Sequence, residues 1–329
     1  MDAVNATLLE HGINLAVWEA TFHKLNSLAF LEPYWQHMIT NYSEFTIVSL
    51  FTFVLHEALY FSIWIPYLLL DFIPYFRKYK IQQSKPNTWE NTWRCLKHLL
   101  FNHVFIQFPM ILGSDWGLRQ LGFTTALPLP HATTIAWQCF MSFILEDFYF
   151  YWVHRIMHHK SLYKYVHKQH HEFAAPFGIA AEYAHPVETA VLGLGTFLGP
   201  LLLTRHLLTL WVWLAVRLVE TIDDHSGYDL PWAWSNFVPF WAGPVHHDFH
   251  HEKFDGNYAS VFTIWDNVFG TDTAFREAMV ERRAKGQSKW YDFFDLLKPN
   301  KKPKKAKILV YSPFTLRLTV LVALCCMLF

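Results

Sequence analysis

TIAWQCFMSFILEDFYFYWVHRIMHH, Thr134 to His159, runs from a mostly apolar stretch straight into a cluster of histidines. Its first part, Thr134 to Val153, has the roughly 20 residues that a helix needs to cross a hydrocarbon core of about 30 Å. His154 and His158 are one turn apart and continue the same helix, whose last turns (FYFYW) are aromatic. His159 lies about 100° off their face. The stretch therefore predicts a membrane helix that presents imidazoles at its end.

The pattern recurs. Thirteen of the chain's twenty histidines fall between His154 and His251, ten of them in HRIMHH (His154, His158, His159), HKQHH (His167, His170, His171) and HHDFHH (His246, His247, His250, His251). Side chains three and four positions apart share one helix face. Each cluster is thus expected to aim its imidazoles at one point, with His167, His170 and His171 on one face and His247, His250 and His251 on another. A mononuclear zinc site uses three or four protein ligands, so nine or more candidates argue for two metals. Isolated histidines such as His11, His23 and His37 read as ordinary polar or packed residues. His225, in DDHSGY, follows an apolar helix, and Asp223 and Asp224 before it can accept ring N–H groups. His185, in AEYAHP, reads equally as a ligand or as helix-end packing.

An almost wholly imidazole donor set, without nearby cysteine and with few acids, leaves zinc, iron, copper or nickel. The H-E-x-x-H of metalloproteases is absent, because His171-Glu172 and His251-Glu252 lack the second histidine. Ferritin-like di-iron sites use glutamates with E-x-x-H and look different. A histidine-rich dimetal centre at a membrane edge suits iron, which can activate O₂ and attack unactivated C–H bonds. A metal transporter is the competing class, but its ligands tend to sit near the bilayer midplane rather than at helix ends.

The remaining composition agrees with a membrane setting. The 329 residues hold 27 basic and 27 acidic side chains, so no nucleic-acid partner is implied. Hydrophobic residues make up 53% and aromatics 18%, including 15 Trp and 30 Phe, a proportion typical of membrane interfaces. Cys95, Cys139, Cys325 and Cys326 frame neither a disulfide scaffold nor a zinc finger, which fits a reducing cytosolic face. No basic segment precedes an apolar one at the N-terminus, so no cleavable signal is expected.

Thr46 to Leu70 is a second span, with His56 and Glu57 near its middle, where ionisable groups should face protein or water. Leu99 to Leu112, ending in Pro109 and Gly113, is expected to pair with 134–153 as a hairpin. Thr189 to Leu203 and Leu207 to Val219, interrupted by Arg205 and His206, read as a partly penetrating hairpin. Arg77, Lys78, Lys80 and Lys85 follow the first span and Arg155, Lys160, Lys164 and Lys168 the third, which predicts cytosolic flanks and places all three histidine clusters on that side. GLGTFLG (Gly193 to Gly199) lacks the spacing and context of a dinucleotide fingerprint. Gly195 and Gly199 instead fit close packing of membrane helices. The expected layout is an N-terminal segment (1–45), a membrane-embedded catalytic domain (46–275), a charged linker (276–307) and an apolar tail (308–329) broken by Arg317. The fold class is all-α: a membrane helical bundle with a cytosolic helical cap that carries the histidine-rich dimetal site.

These residues resemble a known family. The boxes H-x-x-x-H, H-x-x-H-H and H-x-x-H-H are similar to those of the membrane fatty acid hydroxylase superfamily. KYKIQ (Lys78 to Gln82), LFNHVFIQFP (Leu100 to Pro109), LYKYVHKQHHEFAAPFG (Leu162 to Gly178), AEYAHPVET (Ala181 to Thr189), ETIDDHSGYDLP (Glu220 to Pro231), PFWAGPVHHDFHH and GNYAS (within Pro239 to Ser260) resemble its sterol C-4 methyl oxidases, over roughly residues 45–275. The resemblance implies an endoplasmic reticulum membrane enzyme that oxidises the 4α-methyl group of 4,4-dimethyl and 4-methyl sterols in three O₂-dependent steps. It implies two iron ions, O₂ as co-substrate, electrons from NAD(P)H through cytochrome b5 or an equivalent carrier, and other sterol C-4 demethylation enzymes as partners.

Carried over by position, the implied metal ligands are His154, His158, His167, His170, His171, His247, His250 and His251, joined by His225. Asp224, Asn257, His185 and His246 are candidates for the surrounding shell. Asn257 resembles an asparagine that holds a metal-bound water in related desaturases, and reads equally as a turn residue. No catalytic side chain is expected beyond the metal centre. Family members often end in a dilysine signal, whereas Lys304 and Lys305 here precede the apolar tail. The same boxes serve enzymes acting on fatty acyl or sphingoid-base lipids, which keeps that substrate class open.

Overall fold

A computed structural model describes residues 26–286. Nine helices carry that stretch: α1 (Glu32–Asn41), α2 (Thr46–Leu70), α3 (Trp89–Gln120), α4 (Ala132–Met157), α5 (Pro186–Leu203), α6 (Leu207–Asp224), α7 (Gly243–Lys253), α8 (Ile264–Phe269) and α9 (Thr273–Ala284). Short 3₁₀ turns fill several connections. Among the described residues there is no β-strand, only three isolated bridges. The all-α expectation holds.

Among the described residues three helices, α2, α3 and α5, are long and apolar enough to cross a membrane. The 134–153 stretch of α4, expected as a span, is not one of them, because Gln138, Glu146, Asp147 and its tyrosines lower its hydropathy, whereas α5, expected to penetrate only in part, is. Large apolar side chains such as Phe72, Trp89, Phe105 and Trp116 are more than 60% exposed, as a lipid-facing protein surface requires and an aqueous one does not. The chain is a membrane protein. Its second candidate span departs from the expected one. α3 does not stop near Pro109 but continues for 32 residues, because a π-helical turn over His103–Gln107 precedes the proline. There the Phe108 N–H bonds the His103 carbonyl five residues back. The ladder is already out of α register when it meets a residue with no N–H, so Pro109 does not break it. α4 runs to Met157, so that His154 continues the helix as expected and His158 follows at its end.

The described residues divide into two compact units. The first comprises 26–61, 101–146 and 193–218. Glu146, fully buried in α4, accepts hydrogen bonds from Arg217 Nε at 2.7 Å and Thr196 Oγ1 at 2.8 Å. Its role is structural. Gly199 explains part of GLGTFLG, since a Cβ there would lie 2.5 Å from Ser142 Cα, so that only glycine permits this approach of α5 to α4. His206 stands outside the histidine clusters, its Nε2 3 Å or less from the Ala126 carbonyl and its ring 5.4 Å from that of Trp35.

The second unit, 62–100, 147–192 and 219–286, holds the histidines. KYKIQ lies along HSGYD, with Ile81 N–H bonded to Gly227 O at 3.0 Å and Asp229 N–H to Tyr79 O at 2.8 Å. Asp71 ties the pair together by accepting from Lys80 Nζ and Tyr228 OH. α9 packs Phe275 and Met279 onto Val245 and Phe249 of α7, so residue 275, the expected end of the catalytic domain, lies within a helix that supports the third histidine cluster. The 287–307 part of the charged linker and the 308–329 tail lie outside the described residues, as do His11 and His23.

Removing one partner of the Glu146 pair leaves an uncompensated buried charge, which typically costs about 3–5 kcal/mol. Arg217→Ala is expected to lower stability by that order in detergent-based unfolding. The apolar pair Glu146→Leu with Arg217→Met is expected to lose much less.

Candidate metal centre

Four chain segments bring the histidines together. α4 supplies His154 and His158, the turn-rich stretch after it His167, His170 and His171, the end of α6 His225, and α7 His247, His250 and His251. They form two groups. His154, His158, His167, His171 and His250 make one, and His170, His225, His247 and His251 the other; within each, the potential ligand atoms lie within 4.8 Å of one another. The clusters do not map one to a site, as their shared faces suggested. In HKQHH, His167 and His171 join the first group while His170 joins the second; in HHDFHH, His247 and His251 join the second while His250 joins the first. The reason is helical: positions i and i+4 are about 40° apart around the axis, whereas i+3 and i+4 differ by about 100°.

In both groups the Nε2 atoms point inward. In the first, His154 and His167 are 3.0 Å apart at Nε2, His167 and His171 2.9 Å, His158 and His171 3.1 Å, and His171 and His250 3.1 Å. In the second, the spacings are 3.4 Å for His170 and His225, 3.0 Å for His225 and His247, and 3.2 Å for His247 and His251. Two nitrogens bound to one metal at about 2.0–2.1 Å are separated by roughly 2.9–3.4 Å for angles between 90° and tetrahedral. The observed Nε2 spacings fall in this range.

The opposite ring nitrogens explain how the rings are held. Nδ1 of His154 donates to Tyr258 O (2.8 Å), of His225 to Thr221 O (2.8 Å), of His250 to Gly256 O (2.6 Å) and of His251 to Phe173 O (3.2 Å). A carbonyl only accepts, so each Nδ1 carries the proton and each Nε2 presents a lone pair. His167 Nδ1 is 2.7 Å from Glu188 Oε1, both residues almost fully buried. Lone pairs facing one another at 3 Å repel unless a cation lies between them, and protonation is disfavoured here. Burial holds His158 down to about 2, aided by His154 and His170, and holds His170 down to about 4. Burial and mutual repulsion also hold His171, His247, His250 and His251 well below the ordinary histidine value. At neutral pH these rings are uncharged and ready to ligate. The donor set fits a transition metal.

Two of the supporting carbonyls, those of Gly256 and Tyr258, come from GNYAS. Asp266 accepts the Tyr258 and Ala259 N–H groups, each at 2.8 Å, and Asp147 those of Ser260 (3.1 Å) and Val261 (2.7 Å). Gly256 adopts φ +76°, and a Cβ there would collide with the Thr271 carbonyl. Asn257, also left-handed at φ 53°, donates Nδ2 to His246 O. It occupies a turn, and its buried Oδ1 has no hydrogen-bond partner among the described residues. His246 belongs to neither group; it is fully buried against Phe275, 3.7 Å from Asp266, and burial holds it down to about 3. His185 accepts the Val187 N–H at the start of α5, and His159 is exposed. Asp224 is buried next to His225.

The comparisons with known proteins fall on this region. A fatty acid hydroxylase family model matches residues 139–271, a stretch containing all nine grouped histidines. Methylsterol monooxygenase 1 of Rattus norvegicus is 49% identical over 255 residues, covering 74% of this chain and 85% of that protein. The Gallus gallus protein of the same name is 48% identical over 242 residues, covering 73% and 82%. A very-long-chain aldehyde decarbonylase of Oryza sativa subsp. indica is 45% identical over 252 residues, covering 76% and 94%. The chain belongs to the fatty acid hydroxylase family. No solved structure matches it.

For a member of the fatty acid hydroxylase family, the residue that the sequence did not single out is Glu188. It sits one helical step inside α5 after Pro186, where an acid ordinarily serves the helix dipole. Its only available signal was its place in AEYAHPVET. Glu188→Gln preserves shape but weakens the acceptor, and such changes typically cost about 10–100-fold in metal affinity or activity. That loss is expected in metal retained against a chelator. A second expectation concerns acid. Unfolded histidines protonate near their ordinary value of about 6.5 while these folded ones do not, so the unfolded state binds more protons and stability falls as pH drops through that range. The thermal midpoint of metal-stripped protein should fall between pH 7.5 and pH 5.

Proposed function

We propose that the chain is a methylsterol monooxygenase that uses two iron ions, held by His154, His158, His167, His171 and His250 in one site and by His170, His225, His247 and His251 in the other. The observation that carries this reading is the pair of converging Nε2 sets, five and four strong, in a chain 49% identical to a methylsterol monooxygenase. Zinc sites ordinarily close at four ligands or keep three and a water. Five and four imidazoles leave open positions on a six-coordinate ion, which suits iron and a site that must admit O₂. When bound, the iron pair would activate O₂ for attack on an unactivated methyl group.

The substrate is a 4,4-dimethyl or 4-methyl sterol, and the reaction takes its 4α-methyl group through alcohol and aldehyde to carboxylate. Each step consumes one O₂ and two electrons with two protons, releasing water; the electrons come from NAD(P)H through cytochrome b5 or an equivalent carrier. The protein's own contribution is orientation and exclusion of water. Backbone carbonyls fix the rings, Glu188 strengthens His167 as a donor, and burial keeps every imidazole neutral. Sterol binding falls to apolar surface within the bilayer, with few polar anchors. Glu146, Asp147, Tyr183 and Glu220 are the polar candidates for the sterol 3-hydroxyl; Glu146 and Asp147 already accept hydrogen bonds, and Tyr183 donates to Glu172 at 2.6 Å. The endoplasmic reticulum membrane is the proposed location, and Arg77, Lys78, Lys80, Lys85, Arg155, Lys160, Lys164 and Lys168 support a cytosolic side for the histidines. Other sterol C-4 demethylation enzymes are the proposed partners, as consumers of the carboxylate.

His250→Ala removes a donor from the five-histidine group and His247→Ala one from the four-histidine group. Each is expected to cut oxidation of 4,4-dimethylzymosterol by at least about 100-fold while the protein stays in the membrane fraction. Full turnover by either variant would overturn the ligand assignment. Wild-type protein that leaves the sterol untouched but consumes a long-chain aldehyde or hydroxylates a fatty acyl lipid would overturn the substrate.

A further inference from the structure

A third cluster of potential ligands lies in the other compact unit and has no part in the reaction above. His56 and Glu57 sit near the middle of α2, and His103 near the middle of α3, the two longest candidate membrane helices. Glu57 Oε1 is 3.0 Å from His56 Nδ1 and 2.8 Å from His103 Nδ1, and the ligand atoms of all three residues lie within 4.8 Å of one another. His103 is wholly buried and His56 nearly so, while the Glu57 side chain keeps 22% of its surface. Tyr60, itself fully buried, packs against both rings, at 6.1 Å from His56 and 5.2 Å from His103. None of the nine grouped histidines takes part.

We propose that His56, Glu57 and His103 bind a single divalent transition-metal ion, zinc being the reference ion, at a site separate from the two histidine groups. The donor set is two imidazoles and one carboxylate, a combination that holds catalytic zinc and non-haem iron with positions left open. The 2.8 and 3.0 Å separations match two donors on one metal at about 2.0–2.2 Å and an angle near 90°. Ionisable groups inside a span are costly and are retained where they serve a site. His103 also opens the π-helical turn of α3, and single π turns inside α-helices are frequent at functional sites.

The test uses purified full-length protein in detergent, stripped with chelator and reloaded with zinc alone, with zinc per chain measured after desalting. Glu57→Gln is expected to lose about one zinc ion per chain relative to wild type. The same loss is expected in a His247→Ala, His250→Ala background, which separates this site from the proposed iron sites. If Glu57→Gln aggregates, His56→Asn, which keeps the Glu57 to His103 contact, is measured in its place with the same expectation. Unchanged zinc content in a monodisperse Glu57 or His56 variant would overturn the proposal and leave a proton-sharing hydrogen-bond cluster.

Discussion

The hydrogen bond from a histidine Nδ1 to a backbone carbonyl or buried carboxylate is the constraint on which the rest of this structure depends. It decides which nitrogen is a donor and which is a lone pair, and it does so in five of the nine rings: His154, His167, His225, His250 and His251. Once those tautomers are set, Nε2 lone pairs are forced to confront one another about 3 Å apart. Such an arrangement costs energy in the bare protein, through desolvation of the imidazoles and repulsion between lone pairs. The surrounding fold holds it nonetheless. Asp147 and Asp266 pin the 258–261 backbone, α9 braces α7, and Gly256 supplies a turn no other residue could make without strain. A site maintained against its own repulsion is poised for a cation, and the binding energy of that cation is where the cost is recovered.

The H-x-x-H-H spacing gains a physical meaning from this geometry. A box whose outer pair serves one centre and whose middle histidine serves the other couples the two centres through a single turn of backbone. His170 and His171 are adjacent in sequence yet face different groups, as do His250 and His251. A shift of that turn moves donors in both groups at once. The distance between two metals so held would be set by the roughly 100° fan between neighbouring residues, a quantity much stiffer than a loop. His154 and His158, in contrast, both serve the first group, and His225 stands alone for the second. The five-to-four imbalance follows from that asymmetry.

The parts legible in sequence were those with a repeated residue type or a long apolar run. Eight of the nine histidines share a letter and a spacing, and Thr46 to Leu70 announces itself by length, so their existence could be read directly; His225 stands outside the boxes and rested on its DDHSGY context. The partition of the boxes was not legible, because periodicity gives a face but not what stands opposite it. The carbonyls of Phe173, Thr221, Gly256 and Tyr258 have no sequence signature at all, since every residue carries one. Pro109 misled for a related reason: its usual effect presumes an α-helical ladder, and the π turn before it had already changed the ladder. Glu188 was hidden because an acid in the first turn of a helix has an ordinary explanation.

The two polar clusters of the first unit show why burial alone is a poor guide to function. Glu146 is fully buried in α4, but a guanidinium and a hydroxyl converge on the same carboxylate oxygen, so opposite charge offsets its desolvation. Arg217 cannot give up its proton, and the pair is therefore closed to exchange. Glu57 is met by two imidazoles, which can exist neutral and can yield Nδ1 to another electrophile. The same carboxylate, at the same depth in the sequence of apolar residues, is thus a structural tie with one partner and a potential ligand with the other. What separates them is whether the partner's proton is exchangeable, and that property belongs to side-chain chemistry rather than to exposure.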